Sequence, residues 1–324
     1  MGKIVRLLLV AALLGSFLAG SSFAVTVGVL DTSYTVVTQT GILSGLNFPI
    51  GVAVDSSNNL YVANGSSYNY ISKYDASGNK IVNSLLPSGY ISGPIDIAWG
   101  NGYLYVVDNN GSRCRIFSAS TGSYKGELIA RDPLEGVIIP WKIAGVGIDM
   151  QGYPLIVDSL GKKIYCFQVY GSYPIVIKVV KTIRLKDADG NPLPNPTDVA
   201  ADYSYVYVTD GNRIDKFEIA TGNFKKSWSP YTTAIFKGIV YRPESNAVYA
   251  VLLSPFNKVL KYDLEGNLLA SYGNGYTGTP PLYFNYVWHA AVDSTGKVYV
   301  GDSRNNRIQK FLLPTFRLLP KILP

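Results

Sequence analysis

Three residues far apart in the 324-residue chain have the types that chemistry uses: Asp96, Asp198 and the only histidine, His289. Each opens a short apolar stretch, "DIAWG", "DVAAD" and "HAAVD", so the three occupy one equivalent slot. Two carboxylates and an imidazole are a ligand set for calcium or another divalent cation. The same groups also serve simply to cap loop amides. Around them stand Lys142, Lys237, Trp141, Trp288 and Tyr286, cations and aromatic faces that suit a carbohydrate or an anionic small molecule. Two carboxylates sharing one locus repel, so a cation, a proton or one of the two lysines must compensate them. No Gly-x-Ser-x-Gly, Cys–His pair or phosphate-binding loop accompanies them.

The elements that position this slot are repeated. Six segments align, beginning at "FPIGVAVDSSNNLYVAN" (Phe48), "GPIDIAWGNGYLYVVD" (Gly93), "IAGVGIDMQGYPLIVD" (Ile143), "NPTDVAADYSYVYVTD" (Asn195), "FKGIVYRPESNAVYAVL" (Phe236) and "VWHAAVDSTGKVYVGD" (Val287). The residue closing the second strand is Asn64, Asp108, Asp158, Asp210, Leu252 and Asp302, at intervals of 44, 50, 52, 42 and 50. An aromatic follows in the third strand: Tyr74, Phe117, Phe167, Phe217, Tyr262 and Phe311. Then comes a glycine-containing hairpin such as "DASGN" or "IATGN". Four strands per unit at this period describe a propeller blade. A single blade cannot cover both of its faces, whereas a ring of blades can. Slim segments such as "GVAV", "GVGI" and "DVAA" suit the crowded axis. The expectation is an all-β chain, a six-bladed β-propeller of four-stranded antiparallel blades. The blades fall at about 48–92, 93–138, 139–194, 195–235, 236–284 and 285–316.

"PIGVAVDSSNNLYVAN", "VYVTDGNRIDKF" and "VYVGDSRNNRIQKF" resemble the NHL repeat, whose pattern runs Pro-x-Gly-Val-Ala-Val-Asp, Leu-Tyr-Val-Ala-Asp and Asn-x-Arg-Ile-x-x-Phe. The resemblance spans about Phe48 to Phe311, is strongest in repeats one, four and six, and implies six blades. Repeat five departs, with Leu252 in place of the acid and "SPFNKVLKY" in place of the Arg-Ile turn. Because the closing acid recurs, it is expected to be structural, accepting amides of the turn it starts. Function should lie where repeats differ. The slot of Asp96, Asp198 and His289 holds Gly51, Gly145 and Gly238 in the other three units.

Ahead of the repeats, Lys3 and Arg6 precede an apolar run from Leu7 to Leu18, and Ser22 and Ala24 form a cleavage signal. Residues 1–24 are therefore expected to be a signal peptide, 25–316 the propeller and 317–324 a tail. The run is too short to span a bilayer comfortably, so no transmembrane segment is expected in the mature chain. Without Lys3 and Arg6 the balance is 27 basic to 22 acidic residues, about +5. Export and so modest an excess argue against nucleic acid as a partner. Cys114 and Cys166 fall in matching strands of adjacent repeats and point the same way around the ring, so two separate buried thiols are expected. "NGS" at Asn64 and Asn110 matches the glycosylation sequon in tight turns. "DADGNPLPNPTD" carries Pro192 where a calcium loop wants glycine, so a proline-stiffened turn is expected.

These observations favour an exported, non-catalytic binding or scaffold module, extracellular, cell-surface or periplasmic, with a protein or carbohydrate partner at a propeller face. The alternative is a metal-dependent, lactonase-like hydrolase with a cation in the channel held by Asp96, Asp198 and His289. The resemblance itself weighs against enzymes: NHL-like amidating lyases need several histidines for zinc. Lactonase-like propellers hold calcium with Glu, Asn and Asp, and no Glu falls in the inner ring.

One unit lacks a fourth strand. "LLPTFRLLPKILP" after Phe311 has no glycine hairpin, while "YTVVTQT" (34–40) is a β-branched strand without a blade. Donated to blade six, it would close the ring and cover an open edge. Deleting residues 25–40 is therefore expected to lower the melting temperature sharply. An unchanged value would assign the outer strand to 315–319 instead.

Overall fold

In every repeat aromatic and β-branched residues alternate with small ones, and antiparallel pairing buries both sets. The computed structural model describes residues 26–27, 29–30, 46–65, 68–87, 89–108, 113–129, 142–171 and 175–312. It is a six-bladed β-propeller with almost no helix. The innermost strands are Pro49–Val54, Pro94–Gly100, Ile143–Ile148, Pro196–Ala201, Ile235–Arg242 and Val287–Val292, each packed against the next around the axis. Five blades complete four antiparallel strands from their own repeat. In the sixth, Val29–Leu30 pairs antiparallel with Leu312 and Phe311, and Thr26–Val27 runs parallel to the outer strand of blade five. The strand expected at 34–40 lies outside the described residues, as do Trp141, Asn110 and the tail.

The aromatic slot fills the clefts between blades. Tyr74, Phe117, Phe167, Phe217, Tyr262 and Phe311 are each no more than 2% exposed. On the second strands a tyrosine faces a third-strand lysine in four blades, Tyr61 with Lys73, Tyr207 with Lys216, Tyr249 with Lys261 and Tyr299 with Lys310. Each ammonium lies 5.0–5.9 Å from its ring centroid, a cation–π pair that keeps the charge while the alkyl stem covers the ring. Cys114 and Cys166 are free and buried. Asn64 is fully buried, its side chain bonded to Asn47, Val62 and Ser72, which closes that sequon to an oligosaccharide. In "DADGN", Asp187 Oδ1 accepts the amides of Asp189 and Asn191, the same turn that Asp75, Asp149, Asp263 and Asp293 make.

The recurring acid is structural, but its partner differs from the expectation. Asn64, Asp108, Asp158 and Asp302 accept the backbone N–H of Asn47, Ser92, Lys142 and Asn285 at 2.8, 3.2, 3.0 and 2.7 Å. Asp210 does the same for Asn195. These amides belong to the loop leading into the blade's own first strand, because antiparallel return brings the end of strand two beside the start of strand one. Asp158 also takes amides of the turn that follows, Leu160 and Gly161.

A second rule follows from the register. The third-strand residue facing two positions before this slot is Ser72, Arg115, Tyr165, Asp215, Leu260 or Gln309. Gln309 donates to Asp302 at 2.9 Å, and Arg115 lies 3.7 Å from Asp108. Tyr165 and Ser72 bring hydroxyls, and Leu260 matches Leu252. Blade four alone puts a second acid there. Asp215 Oδ1 and Asp210 Oδ2 are buried without a hydrogen-bond partner, and Arg213 is 3.1 Å from Asp215 and 3.4 Å from Asp210. One guanidinium faces two buried carboxyls, with Asp187 and Lys162 further off. Burial, opposed by Arg213 and aided by Asp210, pushes Asp215 up to about 7. A carboxyl held that high keeps its proton well above the usual carboxylate range, at the position that Gln309 occupies in blade six.

The folded chain thus keeps a proton that the unfolded chain releases above about pH 4, so stability falls as pH rises from about 4 to about 7. Asp215→Asn supplies an uncharged donor. It is expected to flatten that slope and to stabilise the protein at pH 8 by at most about 4 kcal/mol. Urea melts at pH 5 and pH 8 measure this. A variant less stable than its parent at pH 8 would mean that Arg213 fully matches the Asp215 carboxylate and that its pKa is not raised on folding.

Candidate functional site

At the axis there is room for a side chain on every second blade. A Cβ on Gly145 would lie 2.5 Å from Asp198 Oδ1, and one on Gly238 would lie 2.7 Å from His289 Cδ2. One on Gly51 would lie 3.0–3.1 Å from backbone atoms of Asp96 and Ile97. The glycines of blades one, three and five therefore make room for the polar residues of blades two, four and six.

Each polar residue reaches across to the following blade. Asp96 accepts its neighbour Ile97 N–H and, at 2.8 Å, the amide of Val146 in blade three. Asp198 accepts Val199 N–H and, at 2.8 Å, the amide of Ile239 in blade five. His289 Nδ1 lies 3.1 Å from the carbonyl of Val52 in blade one. Its Nε2 is 3.6 Å from Asp96 and 3.4 Å from Asp198. All three residues are buried.

Both ring nitrogens of His289 face acceptors, an arrangement that favours a doubly protonated imidazolium, while burial pushes the neighbouring Asp96 carboxyl up to about 7. Burial alone would lower the His289 pKa, but the Asp96 charge and the hydrogen bond and charge of Asp198 outweigh it and bring it up to about 9. The compensating cation is thus the histidine. Neither Lys142 nor Lys237 lies within ion-pair distance of a carboxylate among the described residues. The ligand atoms of the trio all fall within 4.8 Å of one another, so Asp96, Asp198 and His289 are also the residues able to hold a metal ion. An ion there would have to take the place of the Nε2 proton.

The trio floors a cavity of about 470 Å³ at the mouth where the inner strands begin. Asp96, Asp198, His289, Lys142, Lys237 and Trp288 all line it, so the structure brings these sequence candidates together. Trp141 lies outside the described residues. The Lys237 ammonium sits 4.6 Å from the Trp288 ring centroid, and burial lowers its pKa. Tyr286 packs on Trp288 at 5.6 Å and 32°, and on Phe48 at 5.8 Å. Arg304 lies 4.8 Å over Tyr286. Phe48 and Thr197 also line the cavity and are contributors that repeat comparison passed over. Phe48 occupies the position just before its inner strand, as Gly93 and Tyr286 do, and an aromatic standing where another blade has glycine was the available signal. His289 also borders a second cavity, of about 480 Å³, at the opposite end. The trio is the partition between the two.

Residues 284–311, which cover nearly all of the sixth blade's own strands, match the family model of the NHL repeat. No curated protein matches the chain. Among solved structures, the WD40 β-propeller domain of Doa1 is 15% identical, with a TM-score of 0.55 over 82% of this chain and 79% of its own. Virginiamycin B lyase from Staphylococcus aureus is 13% identical, TM-score 0.52, over 84% and 86%. A streptogramin B lyase is 15% identical, TM-score 0.55, over 84% and 95%. At such identities the likeness is one of fold. The chain is a six-bladed β-propeller whose sixth blade matches the NHL repeat.

Removing His289 leaves two buried carboxylates without their cation. His289→Ala is expected to destabilise the protein by about 3–5 kcal/mol, and adding Asp96→Asn should recover part of that loss. Chemical denaturation of the three proteins measures it. A loss under about 1 kcal/mol in the single variant would contradict the imidazolium assignment.

Proposed function

We propose that this chain is an exported, non-catalytic binding module that takes a glycan partner at the channel mouth. The observation that carries this reading is the division of labour in the cavity. Its floor is spoken for, since both carboxylates accept inner-strand amides and the imidazole bonds to a carbonyl and lies 3.4–3.6 Å from the two acids. Its wall offers aromatic faces with cations beside them, which is recognition chemistry. Export rests on residues 1–24, and no helix among the described residues is long and apolar enough to cross a membrane.

A second reading is a metal-dependent hydrolase or lyase. The trio's ligand geometry favours it. So does the likeness to virginiamycin B lyase, of which a catalytically inactive histidine-to-alanine variant is known with quinupristin.

Two measurements separate the readings. On a glycan array the mature protein should retain specific oligosaccharides, and Trp288→Ala should abolish that binding. Adding calcium, magnesium, manganese or zinc to millimolar levels should leave the melting temperature unchanged. A resident ion would instead raise it in proportion to ln[metal], an effect lost in Asp96→Asn/Asp198→Asn. That result would replace the binding module with the metal-dependent enzyme.

A further inference from the structure

The lead-in position before the inner strand is left-handed in three blades: φ is 52° at Phe48, 60° at Gly93 and 67° at Tyr286. Glycine adopts that conformation freely, whereas a bulky aromatic does so against a steric penalty. The backbone there is fixed without help from either ring. Phe48 N–H donates to Asn306 Oδ1 and its carbonyl accepts Gly65 N–H. Tyr286 N–H donates to Asn257 Oδ1 and its carbonyl accepts Ser303 N–H. Blade two shows that glycine suffices at this position. Strained residues of this kind cluster at ligand sites, where the surrounding structure holds them in place.

Both strained aromatics border the same mouth. With Trp288 they make a continuous, partly exposed ring surface, Phe48 to Tyr286 to Trp288. Two cations lie against it, Lys237 on Trp288 and Arg304 on Tyr286. No carboxylate lies within 4 Å of either among the described residues. Lys237 is half-buried and has lost hydration, so a ligand anion would restore what burial removed. Lys142 adds an exposed positive charge at the rim. The cavity, about 470 Å³, is of a size common for small-ligand sites.

We infer that the mouth recognises an anionic pyranose, a sugar ring bearing an acidic group. Its C–H face stacks on Tyr286 and Trp288 while its negative charge meets Lys237. This rests on the reading of the mouth as a glycan site and adds to it the charge of the ligand and the residues that select it.

The test is titration calorimetry and tryptophan fluorescence of the mature protein with trigalacturonate and with neutral maltotriose. Trigalacturonate should bind at least tenfold more tightly, and its affinity should fall as salt rises. Lys237→Met keeps the alkyl stem and should remove that preference while leaving maltotriose unaffected. Tyr286→Gly should weaken both sugars at least tenfold and leave the melting temperature equal or higher, because the left-handed strain is released. A merely packed ring would instead lose thermal stability on the same change. Equal affinity for the two sugars would overturn the anionic assignment and leave the glycan site standing. Binding of neither would overturn the anionic assignment too, and the glycan array would then decide the broader reading by itself.

Discussion

The structure depends on how little space six inner strands leave at their common axis. Side chains fit there only in alternation, so glycine at 51, 145 and 238 makes room for Asp96, Asp198 and His289. Each of the three then bonds to the blade beyond that of its own strand. The ring is thereby tied internally by three inter-blade hydrogen bonds in threefold arrangement, in addition to the apolar packing between blade faces. Two of the ties are carboxylates and the third is an imidazolium between them. The electrostatic problem of two buried acids and the mechanical problem of holding six sheets together share one solution.

Much of this was legible in the repeats. The intervals of the closing acid, the aromatic of the third strand and the slim first strand define six blades, because each answers a constraint that recurs in every unit. The polar trio was legible for the complementary reason, since it stands where the other units have glycine. Other features depend on geometry across strands. The closing acid looks in sequence like the start of a turn, yet its amide partner lies well upstream, as with Asp158 and Lys142, and only antiparallel return brings the two together. That Arg115 and Gln309 face this acid in blades two and six where blade four has Asp215 needs the register of strands two and three. The strain at Phe48 and Tyr286 is a dihedral property, visible in sequence only as an aromatic where Gly93 sits in blade two.

The same crowding shapes function. Because the trio is bonded inward, the channel is partitioned, with His289 bordering a cavity at each end. The wall of the mouth is built from residues at and just before the start of the inner strands that differ from blade to blade, Lys237, Trp288 and Tyr286 among them. The brace at the axis and the wall of the mouth are thus made by different residues. This allows the mouth to vary without disturbing the ring.

The protonation of His289 decides whether the axis is a brace or a metal centre. It is the only histidine in the chain, so nitrogen NMR of ¹⁵N-histidine-labelled protein, freed of any affinity tag, reports on this ring alone. At pH 7.5 both ring nitrogens should carry protons, and added divalent ions or chelator should leave the two signals where they are. An Nε2 without its proton, or one whose signal moves with added metal, would contradict the imidazolium brace and place a metal ion at the axis.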